Sequence, residues 1–253
     1  PGGRGGGDPV SIDTSLEEIV TLVCQGRKYA TVHRGLVRRI VAEELVAGRS
    51  PRETVKAVRR RLHQVGAAYV NVVPRYDRWL TLLRDAAASG DIDQIKDACR
   101  TIMAGHQSSR ERLDILDRFY QDLLGSIGPI GSVLDLACGL NPLAVPWMSL
   151  APGARYSARD VFADQMAFLA QTLPLLGVQA DAQCSDVLAE IPGPAADVAL
   201  LLKAVPCLEQ LERDAGDRLV ALAPARYVVV SFPTASLGGR KDRGMLSTYR
   251  TRM

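Results

Sequence analysis

Five short apolar runs, separated by stretches long enough for helices, follow Gly128 and Pro129 in this chain. The first run, residues 132–137, ends at Cys138 and Gly139, as is typical of a strand that enters a tight turn. The later runs cover residues 154–158, 178–184, 198–202 and 227–231, with helical stretches at 162–173 and 208–222. Strands that alternate with helices in this way predict an α/β fold with a mostly parallel, doubly wound sheet.

The residues before this segment show helical periodicity and no strand pattern. The glycine-rich opening, residues 1–14, predicts a flexible tail. Ser15 predicts the N-cap of a first helix, and Ser50 with Glu53 predicts a capping box at the start of a later one. The sequence therefore divides into a tail (1–14), a helical region (15–105) and an α/β domain (106–253).

Composition narrows the class of protein further. The five cysteines are scattered, with no CxxC spacing and no nearby histidine-rich segment, which predicts a reducing compartment and neither a disulfide framework nor a metal site. No apolar run approaches the roughly 20 residues of a membrane helix. We therefore expect a cytoplasmic protein that has no contact with a membrane.

Positive charge is concentrated between residues 27 and 61, a segment that contains eleven basic residues and only three glutamates. Such an excess of positive charge is expected for a surface that binds a polyanion, although a helix face exposed only to solvent can carry the same number of basic residues. The helical region is therefore a candidate RNA-binding region, and its candidate contacts are Arg27, Lys28, Arg34, Arg38, Arg59, Arg60 and Arg61.

Ligands of such sheets bind outside the carboxyl ends of the strands. The first predicted strand ends in small residues, and acidic residues follow the second and the third, where they can accept hydrogen bonds from ribose hydroxyls and from an adenine amine. This order is that of the Rossmann-like methyltransferases that use S-adenosylmethionine (SAM). No GxGxxG follows the first strand and no P-loop motif occurs, so a nicotinamide or P-loop site is unsupported.

Four segments closely resemble the aminoglycoside-resistance 16S ribosomal RNA guanine-N7 methyltransferases. They are residues 106–113 (HQSSRERL), 135–148 (DLACGLNPLAVPWM), 200–209 (LLLKAVPCLE) and 231–238 (SFPTASLG). Weaker similarity extends back to residues 26–32, so the resemblance covers nearly the whole chain from about residue 15. It implies SAM as the methyl donor and, as substrate, N7 of the decoding-site guanine of 16S ribosomal RNA in the assembled small subunit.

The resemblance also implies a set of cofactor contacts. Arg112 falls on the family's arginine for the methionine carboxylate, Asp160 on the ribose, and Asp186 with Val187 on the adenine. The remaining implied contacts are Tyr69, His106, Ser108, Ala137, Gly139 and Leu202. Two simpler roles stay open: Arg112 could pair with a neighbouring carboxylate, and Asp160 could be a turn residue.

Guanine N7 carries a lone pair and no proton, so its methylation requires no catalytic base. Lys203 could orient the target guanine and Glu209 could recognise its Watson–Crick edge, or both could be structural. Pro206 and Cys207 also suggest the covalent chemistry of pyrimidine C5 methyltransferases, but no partner motif for that chemistry is apparent.

Two other functions remain open at this point. One is methylation of adenine N1 at the same decoding site. The other is an RNA-binding protein that keeps a non-catalytic SAM fold.

Overall fold

The central sheet has five parallel strands in the order β3-β2-β1-β4-β5. The computed structural model describes residues 9–67, 74–190 and 193–233, with side chains for 15–65, 74–190 and 193–233. The strands are β1 (Ile130–Leu136), β2 (Leu150–Asp160), β3 (Gln179–Cys184), β4 (Ala196–Leu202) and β5 (Ala225–Ser231). The order reverses between β1 and β4, which is the switch point where such sheets bind ligands.

Helices precede the sheet and cover both of its faces. Before β1 lie α1 (Pro9–Cys24), α2 (Arg34–Val46), α3 (Pro51–Leu62), α4 (Tyr76–Ser89), α5 (Ile92–Met103), α6 (Gln107–Arg110) and α7 (Leu116–Leu124). Between the strands lie α8 (Ala163–Thr172), α9 (Val205–Leu208) and α10 (Ala215–Leu222). The predicted α/β fold with a helical N-terminal region is confirmed.

Two helix boundaries differ from the sequence-based expectation. The first helix begins at Pro9 and not at the N-cap predicted at Ser15, and proline suits a first helical position because it lacks the N–H that would be unpaired there. The single helix predicted over residues 208–222 is two helices, since α9 ends at Leu208 and α10 begins at Ala215. The interruption lets Leu208 and Leu211 reach a cleft at the strand ends while Ala215 and Leu219 pack against the sheet.

Alternating side chains of the strands divide the core into two layers. Val133 and Leu200 face α4, α5, α7 and α8, whereas Leu134 and Leu201 face α9 and α10. Because α4 and α5 contribute buried residues to the first layer, the packing groups them with the sheet. The boundary predicted at residue 105 does not coincide with this packing.

Helices α1 to α3 form a separate core around Ile40 and Val58. The capping box at Ser50 is confirmed, because its N–H donates to Glu53 at 3.0 Å. Backbone hydrogen bonds dock this helical unit on the sheet: His33 N–H donates to the Val161 carbonyl at 2.7 Å, and Ala163 N–H to the Thr31 carbonyl at 2.8 Å. The helices are thereby held beside the carboxyl end of β2.

Across the described segments, no helix combines the length and the apolar character that a bilayer crossing requires.

Candidate functional site

A cleft lies at the carboxyl ends of β1 to β4, where sheets of this topology bind ligands. The predicted site residues that line it are His106, Ser108, Ala137, Gly139, Asp160, Asp186, Val187, Leu202 and Lys203. Arg112 and Glu209 are not among the lining residues, and Tyr69 lies outside the described residues.

The turn after β1 presents backbone to the cleft. Ala137 and Gly139 adopt left-handed conformations, with φ of 51° and 54°. A Cβ atom on Gly139 would lie 2.9 Å from Cε1 of His106, so only glycine fits at this close approach. The Gly139 N–H donates to Oδ2 of Asp160 at 2.8 Å, which joins the ends of β1 and β2.

Asp160 is a buried carboxylate that is hydrogen-bonded by the protein itself. Its Oδ2 accepts from the Gly139 N–H and its Oδ1 from the Val161 N–H at 2.7 Å, and Gln165 and the Phe162 backbone also hydrogen-bond the carboxylate. Burial raises the pKa of Asp160, and these hydrogen bonds oppose the rise. Asp160 therefore both shapes the turn and presents acceptors to the cleft.

Arg112 is buried with unsatisfied donors, an arrangement that structural arginines avoid. Its Nε and Nη1 have no hydrogen-bond partner, and its guanidinium lies 5.7 Å from the Phe119 ring centroid. It forms no ion pair with the neighbouring acidic residues: Glu111 pairs with Lys203, and Asp117 accepts from Arg100 at 2.8 Å. A buried cation of this kind calls for an external anion.

A buried polar network lies below the first turn. Asp135 accepts from Asn141 Nδ2 at 2.8 Å and from the Tyr156 hydroxyl at 2.7 Å, both through Oδ2. Its Oδ1 has no partner, and burial raises the pKa of Asp135 to about 6, against the opposing effect of Arg112. The shape of the turn thus depends on Asp135 as well as on Gly139.

Asp186 accepts hydrogen bonds from Arg39, a residue that the sequence did not identify as part of the site. Arg39 of α2 donates to Oδ2 of Asp186 through Nε at 3.0 Å and through Nη2 at 2.7 Å. The two residues are 147 positions apart, so no local spacing could have indicated the pair. Leu36, one helical turn earlier on α2, lines the cleft as well.

The end of β4 carries the candidate target residues. Lys203 has a left-handed φ of 59°, its N–H donates to the Ser231 carbonyl at 2.9 Å, and its ammonium pairs with Glu111. Strain at a non-glycine residue of a strand end is typical of functional sites. Glu209 follows α9 outside the cleft lining.

Cys207 lines the cleft as a buried thiol whose Sγ lies 3.8 Å from the Lys203 carbonyl. Burial among apolar residues suits a pocket-lining thiol, whereas a nucleophilic cysteine needs surroundings that stabilise the thiolate. Among the residues that the structure describes, no group of three or more His, Cys, Asp and Glu side chains could hold a metal ion.

Two of the basic residues predicted to contact RNA are engaged within the protein. Arg59 donates to the Leu22 carbonyl at 2.7 Å, and Arg61 pairs with Glu43 at 2.7 Å and with Glu44 at 3.2 Å. These contacts join α3 to α1 and α2. Arg34 and Arg38 both pair with the exposed Glu17, and surface pairs of that kind contribute little.

Other basic residues are exposed and form no ion pair within the described part of the chain. Arg27 and Lys28 lie between α1 and α2. Arg52, Lys56 and Arg60 recur every fourth residue along α3, which places them on one outward face. We refer to these three residues as the basic ridge.

The buried His106 makes stability depend on pH. Burial lowers its pKa from 6.5 to about 4, and Arg112 adds to the shift. Between these values the unfolded chain binds a proton that the folded chain does not, so stability falls as the pH drops through this window. We expect His106→Asn to remove about 2 kcal/mol of that loss, as measured by urea unfolding across the window.

The matched control is His63→Asn, because it makes the same substitution at an exposed histidine. An acid-dependent loss in His106→Asn equal to that of the unmodified protein would show that His106 does not stay neutral in the fold.

The chain was compared with known proteins. Residues 25–253 match the family described as ribosomal RNA methyltransferase (FmrO). A 16S rRNA (guanine(1405)-N(7))-methyltransferase of Frankia casuarinae is 39% identical over 249 residues, which are 97% of this chain and 87% of that protein. The enzyme of the same name from Micromonospora rosea is 37% identical over 239 residues, or 94% of this chain and 87% of that protein.

Solved structures agree with these matches. The 16S rRNA methyltransferase RmtF in complex with S-adenosyl-L-homocysteine superposes with a TM-score of 0.76 at 28% identity, over 98% of this chain and 89% of that one. The 16S rRNA methylase RmtB gives a TM-score of 0.73 at 27% identity, over 93% and 88%. The resemblance inferred from residues 106–113 and 135–148 is confirmed, and the chain belongs to the FmrO family of ribosomal RNA methyltransferases.

Proposed function

We propose that this protein transfers a methyl group from SAM to N7 of guanine 1405 of 16S ribosomal RNA in the assembled small subunit. The names of its relatives support the target, and the buried Arg112, with two unpartnered nitrogens, carries the case for the cofactor. Methylation at N7 gives the base a fixed positive charge, which would weaken binding of cationic aminoglycosides and confer resistance. Such an enzyme meets its substrate in the cytoplasm, where ribosomal subunits reside.

The residues present fit SAM at both ends. Arg112 does not itself line the cleft, but it follows the lining residues His106 and Ser108 in the chain and offers two unpartnered guanidinium nitrogens for the methionine carboxylate. Asp160 lines the cleft where it could meet ribose hydroxyls, and Asp186 has about one acceptor site left for the adenine amine. The bound cofactor would supply an electrophilic methyl group on a sulfonium.

The chain's own residues then position the reaction and exclude water from it. N7 attacks with its lone pair, so alignment and desolvation take the place of base catalysis. Apolar side chains such as Leu202 and Val187 keep the reacting region dry. The target base must leave its stack, at a cost of a few kcal/mol that phosphate contacts offset.

Lys203 favours guanine over adenine as the target. Its ammonium is a donor only, and guanine presents a carbonyl oxygen at the position where adenine presents an amine. We infer that guanine O6 takes over from Glu111 as a partner of Lys203, and that Glu209 contacts the base only if it moves to the rim of the cleft. This preference argues against methylation of adenine N1.

Radiolabelled SAM with intact small subunits, followed by mapping of the modified base, tests the proposal. We expect label at N7 of guanine 1405, and poor labelling of the naked decoding hairpin because docking needs a folded surface. Label on an adenine, or SAM binding without transfer, would replace the proposal with one of the two other functions considered from the sequence.

Arg112→Met should weaken binding of S-adenosylhomocysteine about 10- to 100-fold, because a charge-assisted hydrogen bond contributes about 1.5–3 kcal/mol. Binding of 5′-methylthioadenosine, which lacks the amino acid, should not change. The substitution should also lower the stability of the folded state, because it removes the cation that opposes the effect of burial on the Asp135 carboxylate. Calorimetry with both ligands checks this, and unchanged S-adenosylhomocysteine affinity would remove Arg112 from the site.

Neutralising the basic ridge should weaken binding to subunits without altering the cofactor site. In the triple variant Arg52→Gln, Lys56→Gln, Arg60→Gln, the slope of log affinity against log salt should fall by roughly 2, because fewer counterions are released. Arg59 and Arg61 are left intact because they join the helices.

The matched control replaces three exposed arginines on α4 and α7, Arg78, Arg84 and Arg118, with glutamine. Equal salt slopes for the two triple variants would show that the ridge is a solvated face and not the docking surface.

A further inference from the structure

The carboxylate of Asp186 is among the most deeply buried charges of the cleft, with 3% of its side chain exposed. Its charge is compensated by Arg39, whose side chain is 26% exposed and which belongs to the helical unit and not to the sheet. An isolated buried carboxylate would be costly. The charge of Asp186 is therefore balanced by a residue of α2.

Counting the acceptor sites of Asp186 shows what is left for a ligand. Arg39 places two donors on Oδ2, and the Leu188 N–H donates to Oδ1 at 3.1 Å. About one acceptor site remains, and it is on Oδ1. Because Arg39 holds Oδ2 and the Leu188 N–H holds Oδ1, these contacts together fix the plane of the carboxylate and so the direction of the remaining site.

We propose that Arg39 is a positioning residue for the adenine of the cofactor. It fixes the Asp186 carboxylate with Oδ1 aimed at the exocyclic amine, so that α2 completes a site otherwise built from strand ends. This inference rests on the proposed function, in that it takes Asp186 as the acceptor of the adenine amine.

Arg39 is itself held in place by the helices that carry the basic ridge. Glu43 lies 3.6 Å from Arg39 and also pairs with Arg61 of α3 at 2.7 Å. One turn before Arg39, Leu36 packs into the cleft. An ion-pair chain thus runs from α3 through α2 to the cofactor cleft, and displacement of these helices would release Asp186.

The test compares two ligands on the full chain by calorimetry. S-adenosylhomocysteine carries the amine, and S-inosylhomocysteine carries a carbonyl oxygen that an ionised carboxylate repels. We expect the unmodified protein to prefer the amine ligand at least about tenfold. In Arg39→Gln this ratio should approach one, because Oδ2 then loses its two donors and the carboxylate can turn its remaining acceptor site away from the amine. Arg39→Lys, which keeps the charge but not the two-donor geometry, should give an intermediate ratio.

The control is Arg118→Gln, which removes an exposed arginine paired with Asp122 on α7 and should keep the ratio of the unmodified protein. Thermal unfolding is measured on every variant. If Arg39→Gln lowers the melting temperature but keeps the ligand preference, Arg39 only fastens the helices and the proposal is wrong. If Arg39→Gln does not fold, the ratio in Arg39→Lys decides: an unchanged ratio overturns the proposal.

Ligand binding by the unmodified protein distinguishes a failure of the proposed function from a failure of the role proposed for Arg39. Failure to bind S-adenosylhomocysteine at all would contradict the proposed function. Tight binding of both ligands without preference would leave the proposed function intact and would overturn the role of Arg39, because Asp186 would then not contact the amine.

Discussion

The hydrogen bond from the Gly139 N–H to Oδ2 of Asp160, 2.8 Å long, joins the turn after β1 to the end of β2, and the cleft is arranged around it. It requires a left-handed residue without a side chain, since His106 occupies the space where a Cβ would lie. The same bond holds Asp160 at the wall of the cleft. One contact therefore fixes the backbone of the turn and, in the proposed function, the carboxylate that would meet the ribose.

Around that contact lie buried charged groups, some of whose polar atoms have no hydrogen-bond partner in the fold. Arg112 keeps two unpartnered nitrogens, and Asp135 keeps one unpartnered oxygen below the turn. Each such group costs free energy in the empty protein. A carboxylate bound at Arg112 would relieve part of that cost, so the same groups would favour cofactor binding and stabilise the loaded fold by mass action.

Much of this could be predicted from the sequence. The five strands follow from apolar runs that end in polar residues, and the positions of Ala137, Gly139, Asp160 and Asp186 follow from the rule that ligands bind at strand ends. The partners of these residues could not be predicted. Arg39 meets Asp186 across 147 positions, and a charge count cannot separate it from the solvated arginines beside it. Arg59 and Arg61 were assigned to RNA for the same reason, because burial becomes visible only once α3 packs against α1 and α2.

Helices α2 and α3 together connect the protein surface to the cleft, which matters for methyl transfer. The outer face of α3 carries the basic ridge, whereas Arg39 and Leu36 of α2 reach inward to the cleft. In-line attack tolerates little error in the distance between nucleophile and methyl carbon, and a displacement of about 1 Å can cost roughly 100-fold in rate. Phosphate contacts alone fix register without reading bases, so alignment must come from the protein. If the basic ridge binds RNA as proposed, its ion-pair link to Asp186 through Arg61, Glu43 and Arg39 would supply that alignment, because α3 would position the base and α2 the methyl donor.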